Sequence, residues 1–565
     1  MKKTIIVLGA FIGLFFTSCG KMLVITPPNA IIDEQVNELL AQGGETAEQV
    51  INNFASPMPS YFDLTNIGIG SGSANPTTNS MQGINFMRGL EGNDVAWGCS
   101  DCTNQDEYRG VKIYWMDPID RNPKATASQS HWYGYALGIN KANLLLKYVD
   151  ALDKTTTLYK TASAKGLLVR AFSYHSLMEE YAPAYCNMID PKADNSGMSL
   201  YTEYNPSQEA KPRDNAENTY KMILSDINTA IENLKSAKVG FTHEDGELED
   251  LDLGVAYFLK ARVGLFIGGK SIDGKTGWDI CKEACEILIK EGGYNFIEPN
   301  NWGSRKDSYL PENNAFLCIR KNVNPEVILG FIMGSTNTDG SKYGNALNNI
   351  FGGYAEGYLF ARINNVLYDK IDDNDIRKAA FSKESLGTLT YGGGGTTTTP
   401  TYCNLKFAGQ YGLDPSGAGH TTADKATDNE FVKFRLSEVY LMYAEALLNT
   451  NGDATKPIDA LLAKRGTGLS CANYKGQSWT SKMQEFIQLQ WSIEMWGESG
   501  REYFNNKRWK VNVDRTSEVH KDAMRGHTPG WSGKWQDMTL EFPENEQLYN
   551  KNYAADAVNT PSALK

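Results

Sequence analysis

The sequence has no excess of positive charge: 55 Lys and Arg stand against 67 Asp and Glu, a formal net charge of −12. That removes general nucleic-acid binding, because counterion release needs a basic face. Histidine is scarce, six in 565 residues, and the His-Glu-x-x-His arrangement of zinc hydrolases is missing. His175 and Glu179 stand alone at helical spacing, where a packing role accounts for them. No Gly-x-Ser-x-Gly elbow, Walker loop or strand-borne Gly-x-Gly-x-x-Gly occurs in context, so esterase, nucleoside-triphosphatase and dinucleotide chemistry have no support. Beyond the first residues no apolar run approaches the roughly 20 residues that a spanning helix needs.

What is present begins with an address. Lys2 and Lys3 precede a largely apolar run from Thr4 to Phe16, and Thr17-Ser18-Cys19-Gly20 follows it. Residues 1–18 therefore read as a signal peptide, with Cys19 at the place where a lipoprotein lipobox puts its acylated cysteine. Stable anchoring takes at least two chains or signals, so a multiply acylated Cys19 would hold the chain at a membrane. The remaining composition, 41% hydrophobic and 22% charged, is that of a globular chain with a large core. Cys99 and Cys102 could form a local disulfide in an oxidising compartment. Cys281 and Cys285 lie in a helical stretch, and their spacing and the absence of a nearby His argue against a four-ligand zinc site.

Apolar residues recur at three and four spacing over most of the chain, which predicts amphipathic helices. They fall at His131–Val149, Leu158–Tyr181, Tyr220–Leu234, Leu253–Ile267, Trp278–Lys290, Ser437–Leu448 and Pro457–Arg465, with Met483–Trp509 as one long or broken helix. Pro183 stops the second, and the glycine pairs 268–269 and 292–293 stop the fourth and fifth. Small residues at packing positions (Ala171, Ala256, Ala261, Ala444, Ala446) suggest tetratricopeptide-like hairpins. The expected fold is mainly α: a tetratricopeptide-like helical hairpin scaffold with long ligand-binding loops and a few short strands. Long irregular stretches, roughly 56–129, 187–217 and 295–427, separate the hairpins, and Glu326–Met333 reads as a strand within the last. Irregular segments of that length in a compact domain usually have a function.

Several of these segments resemble the SusD/RagB-like outer-membrane nutrient-binding lipoproteins of Bacteroidetes, over nearly the whole length. The carrying pieces are Cys19 with Lys21-Met22-Leu23 and Pro27-Pro28; Lys165 to Tyr174 (KGLLVRAFSY); Ala261-Arg262-Val263 before Trp278; and Pro325-Glu326-Val327-Ile328. The most specific are Arg435 to Ala446 (RLSEVYLMYAEA), Ile493 to Glu498 (IEMWGE), Gly500 to Phe504 (GREYF) and Lys507-Arg508-Trp509. The resemblance implies one α-helical domain over residues 19–565 and a binding role without catalysis. It also implies a cell-surface lipoprotein of the outer membrane that captures oligosaccharides and passes them to a SusC-like TonB-dependent transporter. Peptide capture by the same architecture is the alternative, and a glycoside hydrolase a more distant one.

The residues themselves point the same way. Sugars offer C–H faces to aromatic rings and hydroxyls to hydrogen-bonding side chains. The segment Gly92–Asp117 mixes both kinds in Asp94, Trp97, Asn104, Tyr108, Arg109, Tyr114 and Trp115. A second segment offers Tyr343, Phe351, Tyr354 and Tyr358 among glycines and asparagines. These are the candidate ligand contacts, and loop packing is the competing role for each aromatic. A glycosidase needs two carboxylates facing each other across the bond. Glu494, Glu498 and Glu502 fall on one face of the expected last helix and line a ridge, which with Arg501 and Arg508 reads as an ion-pair network. Glu445 and Arg435 read as members of similar pairings. No catalytic residue and no cofactor is expected. His243–Asp252 and Asp372–Asp375 gather enough hard oxygens to make a structural calcium conceivable, although neither fits the EF-hand template.

Overall fold

The computed structural model describes residues 33–62, 92–97, 126–205, 209–242, 248–302, 315–316, 322–332, 361–385, 388–391, 395–398, 401–407, 430–498, 501–517, 519 and 532–553. The architecture is mainly helical, in antiparallel hairpins that stack as tetratricopeptide-like units. The helices are α1 (Asp33–Ala41), α2 (Gly44–Ala55), α3 (Thr126–Val149), α4 (Thr157–Tyr181), α5 (Ala216–Ser236), α6 (Leu253–Ile267) and α7 (Gly277–Glu291), followed by α8 (Asn365–Lys370), α9 (Leu436–Asn449), α10 (Thr455–Ala463), α11 (Met483–Glu494), α12 (Arg501–Trp509) and α13 (Glu544–Tyr549). Successive pairs pack along the chain: α3 on α4, α4 on α5, α5 on α6, α6 on α7, then α7 on α9 and α9 on α10 and α11. Every helix that the hydrophobic spacing predicts is there. α1 and α2 go beyond that expectation: their buried face is only Val36, Leu40, Ala47, Ile51 and Ala55, too sparse a stripe to stand out.

Local chemistry fixes the ends. Thr156, Asn215, Asp252 and Thr276 cap α4, α5, α6 and α7, each side chain accepting a backbone N–H of the first turn, which satisfies a donor that the helix itself cannot. Gly268 ends α6 at a positive φ of 61°, a conformation that costs a glycine little. α6 and α7 also approach closely: a Cβ on Gly264 would stand 2.6 Å from the Cys281 amide nitrogen, so only glycine admits this crossing.

Strands are few and short. β1 (Val95–Trp97), β3 (Ala361–Ile363), β5 (Cys403–Asn404) and β4 (Phe381–Ser382) make an antiparallel sheet in that order, and β6 (Glu430–Arg435) pairs with β2 (Val327–Ile332). The β2–β6 ladder sets Arg435 opposite Val327 after an irregularity near Val432 and Phe434. Strands of two or three residues are too short to display the alternation that identifies a half-buried strand.

α4 and α6 are buried on nearly all sides, so their charged residues must find partners inside the protein. Arg170 forks onto Asp226 with two bonds of 2.7 Å, and Arg262 reaches Glu438 at 2.6 Å. Glu179 receives Arg501 at 2.9 Å, and Glu180 receives His131 at 2.8 Å and the Tyr135 hydroxyl at 3.1 Å. The largest group joins segments far apart in sequence. Arg377, Lys406, Arg435 and Arg465 face Glu326, Asp375, Glu494 and Glu498, all buried. Glu494 accepts from Arg377 at 3.0 Å, Arg435 at 2.8 Å and Arg465 at 2.9 Å. Burial pushes its carboxyl up, but the three guanidiniums outweigh this and hold it well below the usual range. Burial likewise lowers the Lys406 ammonium to about 8 despite Glu498. Arg435 thus pairs with Glu326, Glu494 and Glu498, whereas Glu445 takes Arg508.

Removing one partner of such a network leaves the others charged and buried. Glu494→Gln is therefore expected to lower stability by roughly 3–5 kcal/mol, read as a fall in the urea midpoint; an unchanged midpoint would show that the network carries no net stability.

Candidate ligand-binding site

The segment that sequence reasoning selects first, beginning at Gly92, is held by its backbone. β1 lies against β3 with Val95 opposite Ile363 and Trp97 opposite Ala361. Glu502 accepts the Asn93 and Asp94 backbone N–H groups, the latter at 3.1 Å to Oε1 and 3.0 Å to Oε2. Arg515 donates to the Gly92 carbonyl at 2.8 Å and to that of Val95 at 3.3 Å. The Trp496 indole N–H and the Asn364 backbone N–H both donate to the Asp94 carbonyl at 2.9 Å. A Cβ on Gly92 would overlap the Glu502 carboxylate, so the approach requires glycine. The strand thus enters the following aromatic-rich segment from a rigid support.

Glu502 reaches β1 because the last long helix breaks. α11 ends at Glu494, Gly497 turns the chain at a φ of 72°, and α12 begins at Arg501. Glu494, Glu498 and Glu502 therefore do not line one ridge as the unbroken spacing implies. Glu494 and Glu498 join the buried network, while Glu502 points to the strand. Arg501 and Arg508 pair with Glu179 and Glu445 instead of with these carboxylates.

A pocket opens beside this corner, lined by Asp94 and Val95 of the strand region and by Trp491, Ser492, Met495, Trp496, Glu502, Asn505 and Trp509 among others. Its core holds the centre of a water-sized sphere over about 10 Å³, on the order of one water molecule. Three buried polar atoms on its lining residues lack a hydrogen-bond partner among the described residues: Asp94 Oδ2, Trp491 Nε1 and Asn505 Nδ2. Burial raises the Asp94 carboxyl to about 6, against a Ser492 hydrogen bond and the Lys370 charge. Burial, then the Asp94 charge, pushes Glu502 well above the usual carboxylate range in spite of its backbone donors and Arg515. Glu502 has both oxygens bonded to backbone N–H groups, so it is not placed as an acid or nucleophile across a glycosidic bond.

Of the sequence-selected contacts, Asp94 is a pocket residue and Trp97 is the last residue of β1. Asn104, Tyr108, Arg109, Tyr114, Trp115, Tyr343, Phe351, Tyr354, Tyr358, and the lipidation candidate Cys19, lie outside the described residues. Trp491, Ser492 and Asn505 are not singled out by the sequence, and Glu502 reads there only as a ridge carboxylate, although the glycines at 497 and 500 inside an apparent helix mark the break that brings them together. Among the conceivable calcium ligands, Asp375 clamps Arg377, Asp372 accepts the Lys475 and Asn374 backbone N–H groups, and Asp373 pairs with Lys378. Asp252 caps α6 and Asp250 pairs with Lys165. No group of three His, Cys, Asp or Glu side chains suited to a metal occurs among the described residues. Cys281 and Cys285 are buried free thiols, and Cys99 and Cys102 lie outside the described residues.

Asp94 supplies a pH test. Its folded carboxyl binds a proton more tightly than its ordinary value of 3.8, so its stabilising contribution is complete below about pH 4 and lost as pH rises through about 6. Asp94→Asn should therefore gain stability over the parent above pH 6, by up to about 3 kcal/mol, and the gain should shrink towards pH 4. Denaturant titrations at pH 4, 5.5 and 7.5 check this; a pH-independent difference would contradict it.

Comparison with known proteins follows the same lines. Residues 387–559 match the SusD family model, and residues 92–243, which include β1 and the hairpins α3–α5, match the model described as "Starch-binding associating with outer membrane". No curated protein matches this chain. A SusD superfamily protein from Bacteroides thetaiotaomicron VPI-5482 shares the fold with a TM-score of 0.62 at 18% identity, over 92% of this chain and 98% of that one. A putative sugar binding protein from Bacteroides vulgatus ATCC 8482 gives a TM-score of 0.63 at 18% identity, over 89% and 97%. Surface glycan-binding protein A from B. thetaiotaomicron, solved in complex with laminarihexaose, gives 0.61 at 15% identity, over 90% and 98%. With two models of one superfamily matched in separate regions and the helical-hairpin fold common to these structures, the chain belongs to the SusD/RagB-like family.

Proposed function

We propose that this protein captures oligosaccharides at the cell surface and hands them to a SusC-like TonB-dependent transporter, without catalysing a reaction. The observation that carries the reading is the clamped segment Gly92–Trp97. Its rigid strand leads, along the sequence, into a stretch rich in Asn, Tyr, Arg and Trp, within a fold shared by a protein solved with laminarihexaose. Glycan recognition rests on ring stacking and hydrogen bonds, so it needs no cofactor. Tyr343, Phe351, Tyr354 and Tyr358 belong to the second contact segment of this reading. Residues 1–18 serve as a signal peptide and residues 19–565 as the mature domain, held in the outer membrane by acylated Cys19 and facing outward. No helix among the described residues is long and apolar enough to cross a membrane, which accords with a lipid anchor.

Calorimetry against plant, host and microbial oligosaccharides and a set of peptides tests the reading, with the mixtures examined for cleavage. Saturable glycan binding without product is expected; peptide binding alone would replace the glycan with a peptide, and turnover would make the protein an enzyme. Trp97→Ala should fold normally and weaken glycan binding by about tenfold or more, as a central aromatic contact does. Unchanged affinity in the folded variant would move the site to the segment containing Tyr343 and Tyr358.

A further inference from the structure

The pocket beside β1 has a hydrogen-bonding inventory that selects its occupant. Two of its unpartnered atoms are donors and one is an acceptor. Trp491 Nε1 can only donate. Asn505 Oδ1 accepts from Arg508 at 2.9 Å, which orients the amide so that Nδ2 is the group left over. Ser492 bonds the Asp94 carboxylate and leaves Oδ2 as an acceptor. These residues are deeply buried, with Asp94 at 7%, Trp491 at 3% and Asn505 at 1% exposure. Three orphaned polar atoms of such burial, all on residues that line one cavity, are costly to leave unpaired unless something fills it.

Few groups satisfy this set. An ammonium offers no acceptor, and a carboxylate, sulfate or carbonyl oxygen offers no donor. A neutral hydroxyl accepts two hydrogen bonds and donates one, matching two donors and one acceptor. Charge works in the same direction. The nearby cations are engaged elsewhere: Arg501 with Glu179, Arg515 with the Gly92 and Val95 carbonyls, and Lys406 and Arg435 with Glu498. Lys370 acts on Asp94 through space only. Among the described residues, an anion would therefore meet the Asp94 carboxylate with Lys370 acting only through space and the Arg501 guanidinium already committed to Glu179. The core of the pocket has room for about one water-sized group.

We propose that this pocket is a hydroxyl subsite, in which a single neutral hydroxyl of the bound glycan bridges Asp94, Trp491 and Asn505, so that the protein selects uncharged sugars over uronic or sulfated ones. The inference rests on the glycan reading above and adds to it the chemical class of sugar and three residues that read it. A water molecule has the same chemistry, and the experiment separates the two sources.

Calorimetry with neutral laminari-, malto-, xylo- and mannohexaose, and with oligogalacturonides and sulfated heparin fragments, is run on the parent protein and on Trp491→Phe and Asp94→Asn, each first checked for folding by circular dichroism and melting. The parent should prefer neutral members. Trp491→Phe, which deletes one donor, should weaken them by about three- to tenfold, and Asp94→Asn by about tenfold or more, as the loss of a hydrogen bond to a charged group does. Asp94→Asn should also narrow the neutral-over-acidic ratio, which a merely structural role would leave unmoved. A crystal structure with the tightest neutral ligand should place a sugar hydroxyl within about 3.2 Å of Asp94 Oδ2 and Trp491 Nε1. A water there with sugar bound elsewhere, or folded variants with parental affinities and ratio, would overturn the subsite while leaving glycan capture intact. A parent that prefers acidic sugars would also overturn it, and a parent that binds no glycan would overturn both.

Discussion

The buried charge network around Glu494 is the constraint on which the remaining architecture turns. Four cations and four carboxylates, withdrawn from water, come from the turn at Asp375–Arg377, from Lys406 after β5, from Arg435 at the end of β6, from Arg465 after α10, and from Glu326, Glu494 and Glu498. Each ion pays a desolvation cost that only close, hydrogen-bonded partners offset. The set is therefore stable only when all of these segments arrive together. Hydrophobic packing alone would tolerate small slides of one helix on another; a guanidinium shared between two carboxylates does not. Trp302, stacked 4.3 Å from the Arg465 guanidinium, covers the cluster and keeps the local dielectric low.

That fixed centre is adjacent to the candidate site. The chain segment that leaves the network at Glu494 and Glu498 turns at Gly497 and re-enters a helix at Arg501. On the two sides of that break it supplies Trp496 and Glu502 to the backbone of β1 and Trp491, Ser492 and Asn505 to the pocket. The same stretch thus anchors the fold at one end and supports β1 at the other. A binder gains from this arrangement, because contacts held before the ligand arrives need not be ordered on binding.

Hydrophobic periodicity made the hairpin scaffold legible, since a helix buried on one face must repeat its apolar residues every three or four positions. α3 to α7 and α9 to α11 follow that signal, and their caps and glycine stops are local chemistry within a few residues. The short strands were not legible beyond β2. Two or three residues carry no alternation, and β1 finds its partner β3 only at long range, Val95 opposite Ile363. At the site, Asp94 and Trp97 were legible as an acid and an aromatic in a loop-like, sugar-suited segment. Glu502 was misplaced for a physical reason: four-residue spacing puts it on a ridge with Glu494 and Glu498 only if the helix continues, and Gly497 ends that continuity.

Neighbours along the chain suffice for the helical scaffold, for the lack of an apolar run of spanning length beyond the first residues, and for the composition of the first contact segment. Long-range packing selects which carboxylates neutralise which guanidiniums, sets Glu502 on β1, and brings Asp94, Trp491 and Asn505, each with an unpartnered polar atom, to the lining of one cavity. Most of these contacts join residues 29 to 408 positions apart, and no local pattern encodes them.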